Sequence, residues 1–270
     1  MSPKPPYQLQ ADCENCFGLC CVALPYAKSA DFPINKDGGI PCRNLQADYR
    51  CKIHQNLREK GFKGCTVYEC FGAGQKVSQV TYAGNDWREN PDTAKEMFEV
   101  FPIMQQLHEM LGYLHEALKR EETQPIYKEL QAALEQTAAL TELNPESIIS
   151  LNVPAHRAIV NELLKRTSEL VRKDAVRKEN TKRGSDYIGA KLKGADLKGA
   201  SLRGALLIAA DLRNADMRLA DMIGADLRDA DLSGADLRGS IFLTQVQVNS
   251  ARGDRKTKLP EGLRSPAHWT

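Results

Sequence analysis

From Ser185 to Thr244 the apolar residues of this chain recur every five positions. Neither an α-helix, with a period of 3.6, nor a strand, with a period of two, holds such a pattern on one face. A large apolar residue stands at the centre of each unit, from Tyr187, Leu192 and Leu197 through Leu237 to Phe242. Two positions before it comes Ala in ten units and Ser in the first and last. Glycine closes most units, where a backbone that turns sharply needs a residue without a side chain. A short, strict period of this kind specifies a solenoid, in which each unit buries its apolar side chain against its neighbours.

The register Ala195-Asp196-Leu197-Lys198-Gly199, repeated twelve times with variation, resembles the pentapeptide-repeat family, whose unit is A-[DN]-L-x-x. The resemblance implies a right-handed quadrilateral β-helix in which four units close one coil and the central and small residues point inward. Twelve units then make about three coils, a rod about 14 Å tall at ~4.8 Å per stacked strand. Every fourth unit falls on the same side. One side collects Asp196, Lys198, Asp216, Arg218, Asp236 and Arg238, and the next Lys191, Lys193, Asp211, Arg213, Asp231 and Ser233. The other two carry Ile188, Leu206 and Ile208, and Ile223, Ile241 and Leu243, meeting at a corner. Contiguous apolar surface marks a docking site. Leu206, Ile208, Ile223, Ile241 and Leu243 are therefore the expected interaction surface, against the chain's own helices or, in a homo-oligomer, a second copy.

All eight cysteines lie between Cys13 and Cys70, in the order Cys13, Cys16, Cys20, Cys21, Cys42, Cys51, Cys65, Cys70. The first ten residues lack the apolar core of a signal peptide and no run approaches the ~20 apolar residues of a membrane span, so a cytoplasmic location is expected. In a reducing compartment clustered thiols point to metal rather than to disulfides. The opening Cys13-x-x-Cys16-x-x-x-Cys20-Cys21, with the segments around Cys42, Cys51-Lys52-Ile53-His54 and Gly64-Cys65, resembles the zinc- or iron-chelating family of cysteine-rich proteins with a C-x-x-C-x-x-C-C opening. Here three residues, not two, separate Cys16 from Cys20. Zinc, iron and an iron-sulfur cluster all suit such a donor set. Eight thiols exceed one tetrahedral ion and admit two centres, or one centre and a reactive pair such as Cys20-Cys21. His54 is an additional candidate ligand that the thiols do not require. The stretch Phe71-Gly72-Ala73-Gly74 reads as a turn after the last ligand.

The middle of the chain is helical. Asn90-Pro91-Asp92 starts a helix whose seam is Val100, Met104, Leu107, Leu111, Leu114 and Leu118, with a kink or fresh start expected at Pro102. Ile126 to Leu140 forms a second helix, and a third opens at Asn152-Val153-Pro154. His108 and His115 read as exposed or interface residues, two turns apart. Between Arg157 and Arg183 nine basic residues face four acidic ones, a solvated helix face rather than a nucleic-acid surface. This helix is placed to cover the first coil, and the tail after Thr244, where the register fades, to cover the last.

The expected organisation is multidomain α+β: a cysteine-rich metal-binding module over 1–88, a helical region over 89–183, the pentapeptide-repeat β-helix over 184–249 and a cap or tail over 250–270. The net charge of +2 carries no footprint for nucleic acid or membrane. The function expected is a metal-binding interaction scaffold for a protein partner, more readily than an enzyme. An iron-dependent redox or group-transfer enzyme is the alternative, but motifs for nucleotide binding or hydrolysis are absent. Mimicry of DNA toward topoisomerase, known in the pentapeptide family, requires a long acidic rod; between Ser185 and Thr244 nine acidic residues meet eight basic ones.

Overall fold

The computed structural model describes residues 8–175 and 186–269. Ser185, where the five-residue register starts, and the basic residues 177–183 lie outside the described residues. The chain forms two compact units, one of residues up to Leu118 with Tyr127–Leu163, the other of Lys119–Ile126 with Leu164 onward.

In the first unit, α1 (Leu19–Val22) is a single turn inside a loop-rich amino-terminal segment, and α2 (Pro91–Leu118) is the long element against which that segment packs. Met97, Val100, Phe101 and Met104 of α2 meet Leu19, Val22, Ala73 and Val77 in one buried cluster. Helices α3 (Tyr127–Leu140) and α4 (Pro145–Ile149) also pack on α2, and Ile148 of α4 joins that buried cluster. Pro91 occupies the first position of α2, where its missing N–H costs nothing. Pro102 neither ends nor restarts the helix, contrary to one of the two outcomes expected for it. It sits one residue after the fully buried Phe101, and burial of the flanking turns holds the helix through the lost hydrogen bond. The helix α5 (Val153–Arg172) completes the middle of the chain.

In the second unit, isolated parallel bridges join residues twenty apart: Lys191 to Asp211 to Asp231, Asp196 to Asp216 to Asp236, Ser201 to Asp221 to Ile241, and Asp186 to Leu206 to Asp226. Four five-residue units therefore make one coil, and each side contributes single bridges rather than extended strands. Corners fall at every fifth residue in the left-handed conformation, at Gly189, Gly194, Gly199 and Gly204, then also at Ala209, Asn214, Leu219 and Asp229. Leu202 through Leu237 and the alanines between them are buried in a single column. Tyr187, Leu192 and Leu197 of the first coil are only partly buried.

Both ends of the column are covered from within the unit. Arg172, itself buried, donates from Nε to the Gly199 carbonyl at 2.8 Å, and Ala175 lies against the same corner. At the other end the tail does more than cap. After α6 (Gln245–Ser250), opened by a Thr244–Gln247 capping box, Arg252 bridges to Asp231 and Lys258 to Asp236, continuing the coil for two further sides. The register is lost to the eye because each of those sides is longer than five residues. Leu259, Leu263 and Trp269 then pack on the column, and Trp269 Nε1 donates to the Ala251 carbonyl at 3.0 Å.

Gly194 and Gly199 share the left-handed corner, but a Cβ at Gly194 meets nothing within 4 Å while one at Gly199 comes within 2.8 Å of the Ala175 Cβ. Gly194→Ala should thus cost about 1–2 kcal/mol, the left-handed penalty alone, and Gly199→Ala measurably more. Denaturant unfolding followed by Trp269 fluorescence in a Trp87→Phe background checks this. Equal costs would show that the end of α5 does not bear on the corner.

Candidate metal centre

All eight cysteines are free, and they fall into two neighbourhoods of the first unit. The helical turn Ala73–Gln75 and the π-turn Lys76–Thr81 that follows it strap down the loop carrying Cys13 and Cys16. Gln75 accepts from Asp12 N at 3.1 Å and donates to Gln10 O at 2.7 Å. Ser78 Oγ accepts from Phe17 N at 3.0 Å, and Gln79 donates to Asn15 O at 3.0 Å. Side chains thereby satisfy a backbone that has no ladder of its own. A Cβ on Gly74 would stand 2.7 Å from Cys16 Sγ and 3.9 Å from Cys70 Sγ, so only glycine lets this helical turn close over both sulfurs. What read as a flexible turn is the floor of a thiol pocket. Cys70 is fixed from α2, where Gln105 donates to Glu69 O at 3.1 Å and His108 Nδ1 to Phe71 O at 2.7 Å. His108 is 1% exposed, not a surface histidine; burial holds its pKa below the ordinary value.

Charge couples the sulfurs within this neighbourhood. Cys13 is pushed up to about 11, first by the protein crowding it and then by the charges of Cys16, Cys70, Cys21 and Asp12, so the two neighbourhoods adjoin at Cys21. Burial raises Cys16, with Cys70 adding to it. Cys20 is raised by its hydrogen bond with Cys21, then by burial, then by Cys21, Cys16 and Cys13.

The second neighbourhood is built from loops. Cys42 N donates to Cys21 O at 2.9 Å, and Leu45 pairs with Cys51 in an antiparallel bridge. Tyr26 stacks on Phe32 and meets Phe62 edge-on, which brings Cys65, three residues beyond Phe62, to the same place. The Tyr26 hydroxyl donates to Cys42 Sγ at 3.4 Å. Cys65 is pushed up to about 12 by desolvation and then by Cys21, Cys42 and Cys51. Cys51 is raised by burial and by Cys21 and Cys42. Lys36 closes this side: its buried ammonium donates to the carbonyls of Val22, Asp37 and Ile40 at 3.0, 2.9 and 3.0 Å, and its charge lowers Cys21 after the hydrogen bond from Cys20 has done so. Neither Lys36 nor His108 was marked by any motif.

Thiol donors suit a thiophilic cation; burial raises Cys13, Cys16, Cys51, Cys65 and Cys70, while Cys21 is lowered, with Lys36 alongside it. As the side chains stand, no three His, Cys, Asp or Glu groups among the described residues converge to ligating distance. His54 is exposed and lies on a short 3-10 turn after Cys51. In the second unit, Ile241 is fully buried and Leu243 7% exposed, so neither is left for a second copy; Arg120, donating to Ser240 O, brings the chain's own 119–126 segment against the corner before Ile241, one of the two occupants expected there. Leu206 is 41% exposed, with Ile208 and Ile223 half-buried. No helix among the described residues is long and apolar enough to cross a membrane.

Lys36→Met should destabilise the first unit by about 1–3 kcal/mol, since three carbonyls, that of buried Val22 among them, lose their shared donor. Unfolding followed by Trp87 in a Trp269→Phe background measures it, and a change below about 0.5 kcal/mol would deny Lys36 its bracing role.

The family model for pentapeptide repeats matches eight copies over residues 188–222 and 205–242. The uncharacterized protein YybG of Bacillus subtilis (strain 168) is 67% identical over 266 residues, covering 97% of this chain and 95% of the relative. With that identity over nearly the whole length of both, the chain belongs to the same family as YybG, and its carboxy-terminal region carries pentapeptide repeats.

Proposed function

We propose that this protein is an interaction scaffold whose amino-terminal module is held together by thiol-bound metal, zinc or iron. Pentapeptide repeats imply a scaffold-like repeat protein, and the coil adds no catalytic group to that role. The observation that carries the metal reading is the crowding of eight free thiols into one loop-rich segment whose own core is small. Between Tyr26 and Cys65 the buried apolar residues are Cys42, Leu57 and Phe62 alone, too few to hold forty residues without a staple. The protein works in the cytoplasm, where such thiols stay reduced. The apolar strip Ile188, Leu206 and Ile208 is the surface offered to a protein partner, a second copy of the chain included.

Protein purified without oxygen should carry tightly held metal. Colourless protein with zinc supports the staple, whereas brown protein with iron and acid-labile sulfide turns the reading toward redox chemistry. Removing the metal with a chelator should raise amide hydrogen exchange across residues 24–66 and leave the coil at 202–237 protected. Metal-free protein with eight reactive thiols and unchanged exchange would end the metal reading. Gly74→Ala, by pushing the Cys16 sulfur aside, should lower metal content, while the equally conservative Gly194→Ala should not.

A further inference from the structure

Cys21 and Cys42 stand across from each other on two paired segments. Tyr26 and Lys36 exchange both backbone hydrogen bonds, at 2.9 and 2.8 Å, in an antiparallel bridge. Further along, Gly39 N donates to Val22 O at 2.9 Å and Cys42 N to Cys21 O at 2.9 Å. The Lys36 ammonium ties the same segments again, through the carbonyl of Val22, next to Cys21, and that of Ile40, two residues before Cys42. Residues joined by a backbone bond of this kind have Cα atoms about 5–6 Å apart, the separation commonest across a disulfide. The adjacent pair Cys20-Cys21 does not meet that requirement, since consecutive Cα atoms stand about 3.8 Å apart and the helical turn of α1 holds both residues. The Tyr26 hydroxyl donates to Cys42 Sγ at 3.4 Å, and the charges that bear on that hydroxyl include that of Cys21, so both sulfurs lie toward it. Cys42 is buried and Cys21 half-buried, so a small oxidant arriving from solvent meets Cys21 first.

We infer that Cys21 and Cys42 form a peroxide-reactive dithiol, in which Cys21 attacks the oxidant and Cys42 resolves the product to a disulfide. The Cys21 thiol gives up its proton and its sulfur attacks one oxygen of hydrogen peroxide, breaking the O–O bond; the departing hydroxide takes up a proton and leaves as water. The Cys42 sulfur then attacks the sulfenic acid on Cys21, forming the S–S bond and, with the Cys42 proton, expelling the second water. Two thiols lose two electrons and the peroxide gains them. A fixed ammonium beside the pair, that of Lys36, favours the attacking thiolate. In a reducing compartment disulfides are of this transient, oxidant-sensing kind. The inference goes beyond the metal reading and stands without it; where metal is held, closing the disulfide withdraws two of the eight thiols from it.

The full-length chain, purified without oxygen, is given one equivalent of hydrogen peroxide before and after treatment with a chelator, its remaining thiols are blocked with N-ethylmaleimide, and its tryptic peptides are mapped by mass. The peptide from Asp37 to Arg43, which carries Cys42, should appear linked to the one that carries Cys21, with the blocking group on Cys13, Cys16 and Cys20. This readout needs no variant and so does not depend on one folding. Cys42→Ser should stop at a sulfenic acid on Cys21, trapped by dimedone, and Cys21→Ser should slow peroxide consumption by about tenfold or more, while Cys20→Ser should keep the link. Cys42 joined to Cys51 or Cys65, a Cys20-Cys21 bridge, or indiscriminate loss of all eight thiols overturns the inference. A link that forms in protein without metal ends the metal reading alone. Metal-bearing protein that never forms the link, chelated or not, ends this inference alone.

Discussion

The constraint on which the amino-terminal unit depends is the burial of sulfur in a segment with little apolar core of its own. A thiolate in a poorly solvated place is disfavoured by its own desolvation, and each neighbour that ionises makes the next ionisation harder. Cys13 and Cys65 reach solvent, yet the protein around each sulfur and the adjoining thiols still move both far above an ordinary thiol. The chain spends hydrogen bonds to create this arrangement: Gln75, Ser78 and Gln79 hold one loop, Gln105 and His108 another, and Lys36 gathers three carbonyls behind Cys21. These bonds hold loops that have no ladder of their own in place around the thiols.

The coil solves the opposite problem. Its column is apolar, its backbone pairs coil to coil, and its stability grows from identical small units stacked in register. Strain enters at the corners, where Ala209, Asn214, Leu219 and Asp229 adopt a conformation that glycine takes without penalty. Asparagine and aspartate tolerate it better than most. Ala209 and Leu219 do not share that tolerance, and stacking of the coil above and below holds them there.

The coil was legible because its period is short and strict: a spacing of five, with four units per turn, assigns every outward residue to a side without coordinates, and the bridges at twenty-residue spacing place Asp196, Asp216 and Asp236 on one side as read. Which segment comes against the corner of Ile241 and Leu243 was not legible, because the 119–126 segment lies more than a hundred residues away in sequence and carries no repeat to announce its destination. The two further sides of the coil, at Arg252 and Lys258, escaped for a related reason, since inserted residues destroy the period without destroying the pairing. In the amino-terminal unit, spacing showed that the cysteines belong together but not which with which. His108 sits four residues after Met104 and three before Leu111, which placed it at the edge of the buried seam; the histidine itself obscured this.

Electrostatics narrows what the outside of the coil can recognise. Asp211, Asp216, Asp226 and Asp236 each accept from the arginine two residues on, Arg213, Arg218, Arg228 and Arg238, through paired contacts near 3 Å or shorter. Each pair cancels its own charge at the surface, so these sides present short dipoles in place of a field. A ligand drawn by net charge finds nothing to follow along them. Where the pattern breaks, at Ile188, Leu206 and Ile208, the missing acidic and basic residues take the local pairing with them and leave apolar side chains facing outward. Outward apolar side chains are thus gathered at that strip, while the paired charges keep the rest of the coil's surface wet.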